Sequence, residues 1–369
     1  MSNARFPGLD IGKVVVSSLS FPGLFQFILL QRNHRMALSY PSQCTNALPV
    51  ITHCCRITGI RDYQFWKGLY TMAPLMFVSL LLLTSCISQK RLINPAKIAW
   101  IHGSADCQHH ADPPIQLVQL NSSTWILRQN KCINYEAPFL FLFLGDKKAL
   151  LMDTGATEDS TQFPLYQTVR KLVDQWEQAR SHNVELLVAH THAHGDHIAA
   201  DTQFINKPKT TVVGKTVSEV ASFFNIQTWP STNGAIDLGN RLIDVIPIPG
   251  HDKSSIALYD HQTKLLLSGD SVYPGRLYIR DWQAYTLSMQ RLTDFVRNYR
   301  VSYILGNHIE MTKTPGLDYA TGTTFQPDEQ ILPLQPTDLV LLNETLKNSG
   351  SIPRRVVLDK FIITPLKPN

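Results

Sequence analysis

Residues 190–197 read HTHAHGDH, running from His190 to His197. Within them His192, His194, Asp196 and His197 form the pattern H-x-H-x-D-H, four metal-binding side chains in six positions. A lone histidine is more often a satisfied core or surface residue than a ligand. Four such groups around Gly195, directly after the apolar run Glu185–Ala189, have no packing explanation. A spacing of two sends side chains to the same side of an extended chain, so His192 and His194 can share one ion. Asp196 and His197 come after the turn at Gly195 and can face a second. Imidazole and carboxylate suit Zn²⁺, with Fe or Mn as alternatives.

The elements around this loop alternate between strand and helix. Phe139–Leu144 (FLFLFL) and Ala149–Met152 are apolar runs separated by Gly145-Asp146-Lys147-Lys148, which predicts strand, tight turn, strand. Tyr166–Ala179 has helical spacing, with Val169, Leu172, Val173 and Trp176 on one face. Strands are predicted at Thr211–Val213, Leu242–Ile248, Lys264–Leu267 and Val301–Leu305. Helices are predicted at Thr216–Phe224, Trp282–Tyr299 and Thr337–Lys347, and Thr312–Pro336 reads as loop. Each His/Asp cluster follows a strand, which is where α/β folds place their sites.

The HTHAHGDH loop and the motifs that follow it resemble the metallo-β-lactamase superfamily over about residues 115–310. Leu151-Met152-Asp153-Thr154-Gly155 is similar to the early Asp motif of that family, and Pro249-Gly250-His251 to the third. Ser268-Gly269-Asp270 is similar to the fourth and Gly306-Asn307-His308 to the fifth. The resemblance implies an α/β fold, a four-layer αβ/βα sandwich with two metal ions at one edge. It implies His192, His194 and His251 around the first ion, with Asp196, His197 and His308 at the second and Asp270 bridging both. A hydroxide held between two ions is available at neutral pH, because metal binding lowers the pKa of water from about 15.7 to about 7. Asp196 would then both ligate and orient that hydroxide. Asp153 is expected to hold the histidine loop by hydrogen bonds. His190 either braces a ligand or simply ends its strand.

The expected function is hydrolysis of a small acyl compound: a lactone, ester, thioester or lactam. Asp270 resembles the choice made in glyoxalase II and the lactonases, whereas the true β-lactamases usually carry Cys or Ser there. Only about 60 residues follow His308, which leaves a glutathione thioesterase less expected. Tyr273 follows Asp270 by three, similar to the D-x-x-Y of homoserine-lactone lactonases, where the phenol bonds the substrate carbonyl. Its other reading is a core aromatic. Arg276, Tyr278 and Trp282 line the mouth or merely pack. The alternatives are a phosphodiesterase of the same superfamily and a non-hydrolytic metal-binding or redox use of the fold.

The chain has 369 residues, of which 44% are hydrophobic and 17% charged, so it can bury a core and is not wholly disordered. No run of 18 apolar residues occurs, which argues against a multi-pass membrane protein. The net charge of +5 lies entirely in residues 1–85, where seven basic residues face two acidic ones. The rest is neutral, so no nucleic-acid partner is expected. Residues 61–86 place Arg61 and Lys67 before the apolar run Leu75–Leu83 and end in Leu83-Thr84-Ser85-Cys86. This resembles the signal of bacterial lipoproteins, with Cys86 lipidated. The expectation is an exported protein anchored to the membrane through that lipid, at the outer membrane or periplasmic face in a Gram-negative host. Residues 1–60 read as a disordered or upstream-translated extension, 87–114 as a linker and 115–369 as the hydrolase domain. Cys107 and Cys132 would pair as a disulfide in an oxidising compartment, the alternative being two free buried thiols.

Overall fold

The computed structural model describes residues 92–367. The expected extension (1–60), signal segment (61–86) and lipidated Cys86, and the first residues of the expected linker, lie outside the described residues. Among the described residues no helix is long and apolar enough to cross a membrane.

FLFLFL shows how the layers arise. Successive side chains of a strand point to opposite faces. Phe139, Phe141 and Phe143 enter a central core, while Leu140, Leu142 and Leu144 enter an outer one. A strand buried on both faces needs no polar alternation, so this run is β3 (Phe139–Leu144) of a sheet covered on both sides. Its neighbours are β1 (Ile115–Asn121), β2 (Thr124–Gln129), β4 (Lys148–Met152), β5 (Glu185–Ala189) and β6 (Thr210–Val212), in the order β1-β2-β3-β4-β5-β6. The outer face is covered by α1 (Leu165–Arg180), through Leu165, Val169, Leu172, Val173 and Trp176. Two short helices follow, α2 (Gly195–Ile198) and α3 (Val217–Phe223), the second closed by a Thr216/Glu219 capping box.

The second sheet contains β7 (Gly234–Asp237), β8 (Leu242–Pro247), β9 (Ile256–Asp260) and β10 (Leu265–Gly269), then β12 (Tyr303–Gly306) and β13 (Pro333–Leu334). Its inner face supplies Ile243, Val245, Leu258, Leu265, Leu267 and Leu305 to the same central core. Its outer face packs on α4 (Trp282–Asn298) and α5 (Pro336–Ser349) through Tyr285, Met289, Leu292, Leu339, Leu342 and Leu346. The result is a four-layer αβ/βα sandwich, the expected fold. A small third sheet, β11 (Arg276–Ile279) beside β15 (Ile362–Pro365) and β14 (Val356–Val357), stands apart. The predicted loop Thr312–Pro336 is corrected in one place. Pro333 and Leu334 pair with Leu305 and Ile304, because the second sheet otherwise leaves β12 as an open edge.

The segment expected to be a linker also behaves differently within its described part. Leu92, Ile98 and Trp100 pack against the central core, and the Trp100 ring meets Phe139 edge-on at 4.9 Å. Gly103 lies at φ +77° and a Cβ there would fall 1.9 Å from the Thr324 carbonyl oxygen. Cys107 is bonded to Cys132 across 25 residues. In the chain-entropy view such a loop contributes roughly 3–4 kcal/mol. Apolar side chains and a covalent tie thus make this segment part of the sandwich.

Candidate metal centre

β4, β5, β8, β10 and β12 all end at one edge of the two sheets, and each delivers a site residue just beyond its last position. β4 is parallel to β5 and β10 is parallel to β12. Asp153 follows β4, His190 follows β5, and His251 lies four residues beyond β8. Asp270 follows β10 directly, and His308 comes two residues after β12. At the third motif Gly250 adopts φ +141°, where a Cβ would stand 2.4 Å from Tyr285 Cα, so only glycine lets α4 come this close.

Two clusters result. His192, His194 and His251 bring one ring nitrogen each to a common point. His192 Nε2 lies 2.9 Å from His194 Nδ1 and 3.3 Å from His251 Nε2, and the latter is 3.0 Å from His194 Nδ1. Asp196, His197, Asp270 and His308 form the other. Here Asp196 Oδ2 lies 3.3 Å from His197 Nε2 and 3.2 Å from His308 Nε2. Asp270 Oδ2 is 3.4 Å from His197 Nε2 and Oδ1 is 3.4 Å from His308 Nε2. The same carboxylate stands 3.9 Å from His192 and from His251, so it faces both clusters.

The far nitrogen of most of these rings is already held by oxygen. His251 Nδ1 donates to the Tyr278 carbonyl at 2.8 Å and His308 Nδ1 to the Glu136 carbonyl at 3.0 Å. His192 Nδ1 meets Thr191 Oγ1 at 3.1 Å, and His197 Nδ1 faces Asp153 at 3.4 Å. In the first cluster, with the proton on that side, the converging nitrogens carry lone pairs. Lone pairs aimed at one another repel unless a cation sits between them. The ring-nitrogen spacing also matches about 3.3 Å, the edge of a tetrahedron with Zn–N bonds of about 2.0–2.1 Å. Asp270 Oδ1 is buried without a hydrogen-bond donor, a costly arrangement for a carboxylate that lacks a cation. The donor set therefore fits metal at both positions.

Electrostatics separate the two. Burial, joined by neighbouring histidines, pushes the His192 imidazole well below its usual range, and burial likewise lowers His194 and His251. Neutral imidazole is the ligating form. In the second cluster burial also opposes charge, but the carboxylates win. Asp270 and Asp196 raise His308 to about 9, and with Asp153 they raise His197 well above its ordinary value. Burial favours the neutral acid at Asp196 and Asp270, yet the adjacent His197 and His308 hold both carboxyls below the usual range. An ion entering the second cluster must displace these protons. Its apparent affinity is expected to fall as pH drops below about 9, by about tenfold per unit for the His308 proton and more steeply where the His197 proton must also leave. Zinc titrations from pH 6.5 to 9.5 check this. An affinity that does not change with pH contradicts it.

Asp153 and His190 make different contacts. Asp153 is fully buried at φ +68°. It accepts from the Thr191 backbone N–H at 2.8 Å and from Asn307 Nδ2 at 2.7 Å. Asn307 also donates to the Phe139 carbonyl, which ties the two sheets together at the site. His190 touches neither cluster. Its Nε2 bonds Asp201 at 2.8 Å, and Asp201 accepts from the Thr154 hydroxyl at 2.9 Å, while the Thr154 amide donates to the His197 carbonyl.

Tyr273 requires a correction. Its ring lines the site but its hydroxyl points away, toward the Arg276 carbonyl at 2.6 Å and Glu310 Oε2 at 3.1 Å. One O–H has one proton, and two strong acceptors already compete for it, so the expected bond to a substrate carbonyl has no donor here. Trp282 also lies off the site, with its Nε1 donating to the Gly350 carbonyl. Arg276 lies behind Tyr278, held by Glu310, Asp318 and the Tyr319 carbonyl. Both clusters open into a cavity of about 300 Å³ lined also by Glu136, Tyr278, Arg280 and Glu310. Glu136, Glu310 and Asn307 had no assigned role in the sequence. Asn307 lies inside a motif beside His308 and was the most readable of the three.

Residues 138–308 match the family model described as the metallo-beta-lactamase superfamily. The chain is 30% identical over 185 residues to the acyl-coenzyme A thioesterase MBLAC2 of Homo sapiens, covering 42% of this chain and 64% of that protein. It is 39% identical over 82 residues to the Gallus gallus protein of the same name, covering 21% and 29%. A hydroxyacylglutathione hydrolase from Rhizobium meliloti (strain 1021) is 27% identical over 133 residues, covering 34% and 52%. The chain thus spans less than two thirds of the length of the curated relatives it matches. Among solved structures, a metallo-beta-lactamase from Pontibacter korlensis superposes with a TM-score of 0.42 at 17% identity, covering 63% of this chain and 99% of that one.

Proposed function

We propose that this chain, whose residues 138–308 match the metallo-β-lactamase superfamily model, is a binuclear zinc hydrolase acting on an acyl thioester. The observation that carries the reading is Asp270, one buried carboxylate facing two clusters that open into one cavity. His192, His194 and His251 would hold one ion, Asp196, His197 and His308 the other, with Asp270 between them. When bound, the two ions supply Lewis acidity, which makes water acidic at neutral pH and polarises a carbonyl. The chain does the rest. Asp153, Thr191 and Asn307 fix the loop, and the Tyr278 and Glu136 carbonyls fix the faces of His251 and His308. The partly exposed Asp196 carboxylate lies beside the cavity, where it can take a proton from attacking water. Exposed Arg280 offers a cation to an anionic part of the substrate at the rim.

Thioester is favoured over lactone, ester or lactam by the printed activities of the relatives, a coenzyme A thioesterase and a glutathione thioester hydrolase. The test is acid release by the zinc-loaded full chain in weak buffer. A thioester, a lactone, an ester and a β-lactam are presented in turn, with and without chelator. A chelator-sensitive rate highest on the thioester is expected. A highest rate on another class would replace the substrate assignment, and no rate on any, with two ions bound, would defeat the acyl-hydrolase reading. We propose further that the protein is exported and membrane-anchored through Cys86. The Cys107–Cys132 bond supports this, since such bonds persist in oxidising compartments. Mass analysis of the mature N-terminus checks it, and an unmodified Cys86 within a longer chain would defeat it.

A further inference from the structure

Two phenols border the cavity, and their protons are disposed oppositely. Tyr273 donates its proton to Glu310 or to the Arg276 carbonyl. Tyr278 is an acceptor, because Arg276 Nε donates to its oxygen at 2.9 Å. Its own O–H has no acceptor among the described residues, and Tyr278 lines the cavity together with His194, Asp196, His251, Asp270 and His308. A phenol that accepts from a cation is polarised, so its remaining O–H becomes a stronger donor.

The arrangement is rigid. Arg276 Nη1 donates to Asp318 at 2.7 Å and to the Tyr319 carbonyl at 2.6 Å, while Nη2 donates to Glu310 at 2.7 Å. Glu310 also accepts from the Arg276 backbone N–H at 2.7 Å. With Nη1 fully engaged and Nη2 on Glu310, Nε donates to the Tyr278 oxygen. β11 runs parallel to β15, with Tyr278 opposite Thr364, which fixes the backbone from the other side. The Tyr278 carbonyl simultaneously holds His251 Nδ1. One residue thus sets a metal-binding imidazole with its main chain and presents a free, polarised donor beside it.

We propose that Tyr278 is a catalytic residue whose O–H donates to the substrate carbonyl oxygen as negative charge gathers there. This rests on the acyl-hydrolase reading and takes over the role the sequence suggested for Tyr273. A donor aimed at a developing oxyanion acts mainly in the transition state, so its loss lowers kcat more than it changes KM.

The experiment compares zinc-loaded full-length wild type, Tyr278→Phe and Tyr273→Phe. Phenylalanine keeps the ring and the main-chain carbonyl, so metal content is expected to stay unchanged in both. Tyr278→Phe is expected to lower kcat about 100-fold with KM within about threefold, in the range seen for one lost oxyanion donor. Tyr273→Phe is expected to change kcat less than threefold and to lower Tm. Binding of butylphosphonate, a tetrahedral anion that imitates the charged intermediate, provides a second readout by calorimetry. Tyr278→Phe should weaken it about tenfold and Tyr273→Phe should not. If Tyr278→Phe stays within twofold on both readouts, the assignment is overturned. It is also overturned if the kcat loss grows steeply with the basicity of the leaving thiol, because the donor would then serve the leaving group. If the wild type turns over no acyl substrate, the function reading fails on its own, and phosphonate binding still decides whether Tyr278 donates to an anion in this cavity.

Discussion

Asp270→Ala is expected to lower turnover of the acyl substrate by about four orders of magnitude. The carboxylate is buried and stands within 3.9 Å of ring nitrogens from both clusters. No other side chain among the described residues faces both. Without it each position loses a ligand, and the negative charge that draws two cations together is gone. What is lost is much of the shift of the water pKa from about 15.7 toward about 7, and a drop of about 10⁴-fold corresponds to roughly 5.4 kcal/mol. The fold should survive, because Asp270 Oδ1 is buried without a hydrogen-bond partner among the described residues. Metal content per chain, circular dichroism and kcat are the readouts. A variant that holds two ions and turns over within tenfold of wild type would remove Asp270 from the mechanism. His194→Ala and Asp196→Ala should each cost several orders of magnitude by depriving a single position, and so should leave one ion bound.

Arg241→Met is expected to destabilise the folded chain by about 3–5 kcal/mol without touching the chemistry. Arg241 is 3% exposed and its guanidinium is fully engaged. It donates to both oxygens of Asp260, to the Ser123 and Leu144 carbonyls and to the Ser123 and Thr124 hydroxyls. Asp260 closes β9 in the second sheet, whereas Ser123, Thr124 and Leu144 belong to the first. One side chain therefore ties the two sheets together at the edge away from the metal residues. Removing it strands a buried carboxylate, the costly half of breaking a buried pair. Burial raises the Asp260 carboxyl, but Arg241 outweighs that and holds it below the usual range. The folded pKa lies below the unfolded one, so this contribution is present at neutral pH and fades as pH falls through the carboxylate range. For a chain of this size the loss corresponds to a Tm lower by roughly 10 °C. Arg241→Met/Asp260→Leu should recover part of it, because no unpaired charge remains. An Arg241→Met protein with wild-type Tm would show that the pair contributes nothing net.

These two residues also mark what the amino-acid order makes readable. Asp270 was legible because its role is announced locally, by Ser268-Gly269-Asp270 at the end of an apolar strand. The same holds for His192, His194, Asp196 and His197, packed into one loop. The layers were legible at FLFLFL, where a period of two with no polar member requires cover on both faces. Short strands such as β7, β11, β14 and β15, of two to four residues, carry too few positions to show a period. Arg241 looks like an ordinary turn cation, because its partners Ser123 and Leu144 stand 118 and 97 residues away.

The amino-acid sequence by itself pointed to the two His/Asp clusters, the order of motifs and the sandwich, because each is written in short local stretches with a fixed backbone period. The tertiary structure alone decided which nitrogen of each histidine faces inward, since that follows from carbonyls and hydroxyls brought in by other strands. It also decided which phenol keeps a free proton. Tyr273 and Tyr278 are five positions apart and chemically identical, and they differ only in what Glu310 and Arg276 do to them. Glu310 arrives from 34 residues beyond Arg276. The direction of an O–H bond depends on such distant neighbours, and local sequence carries no record of them.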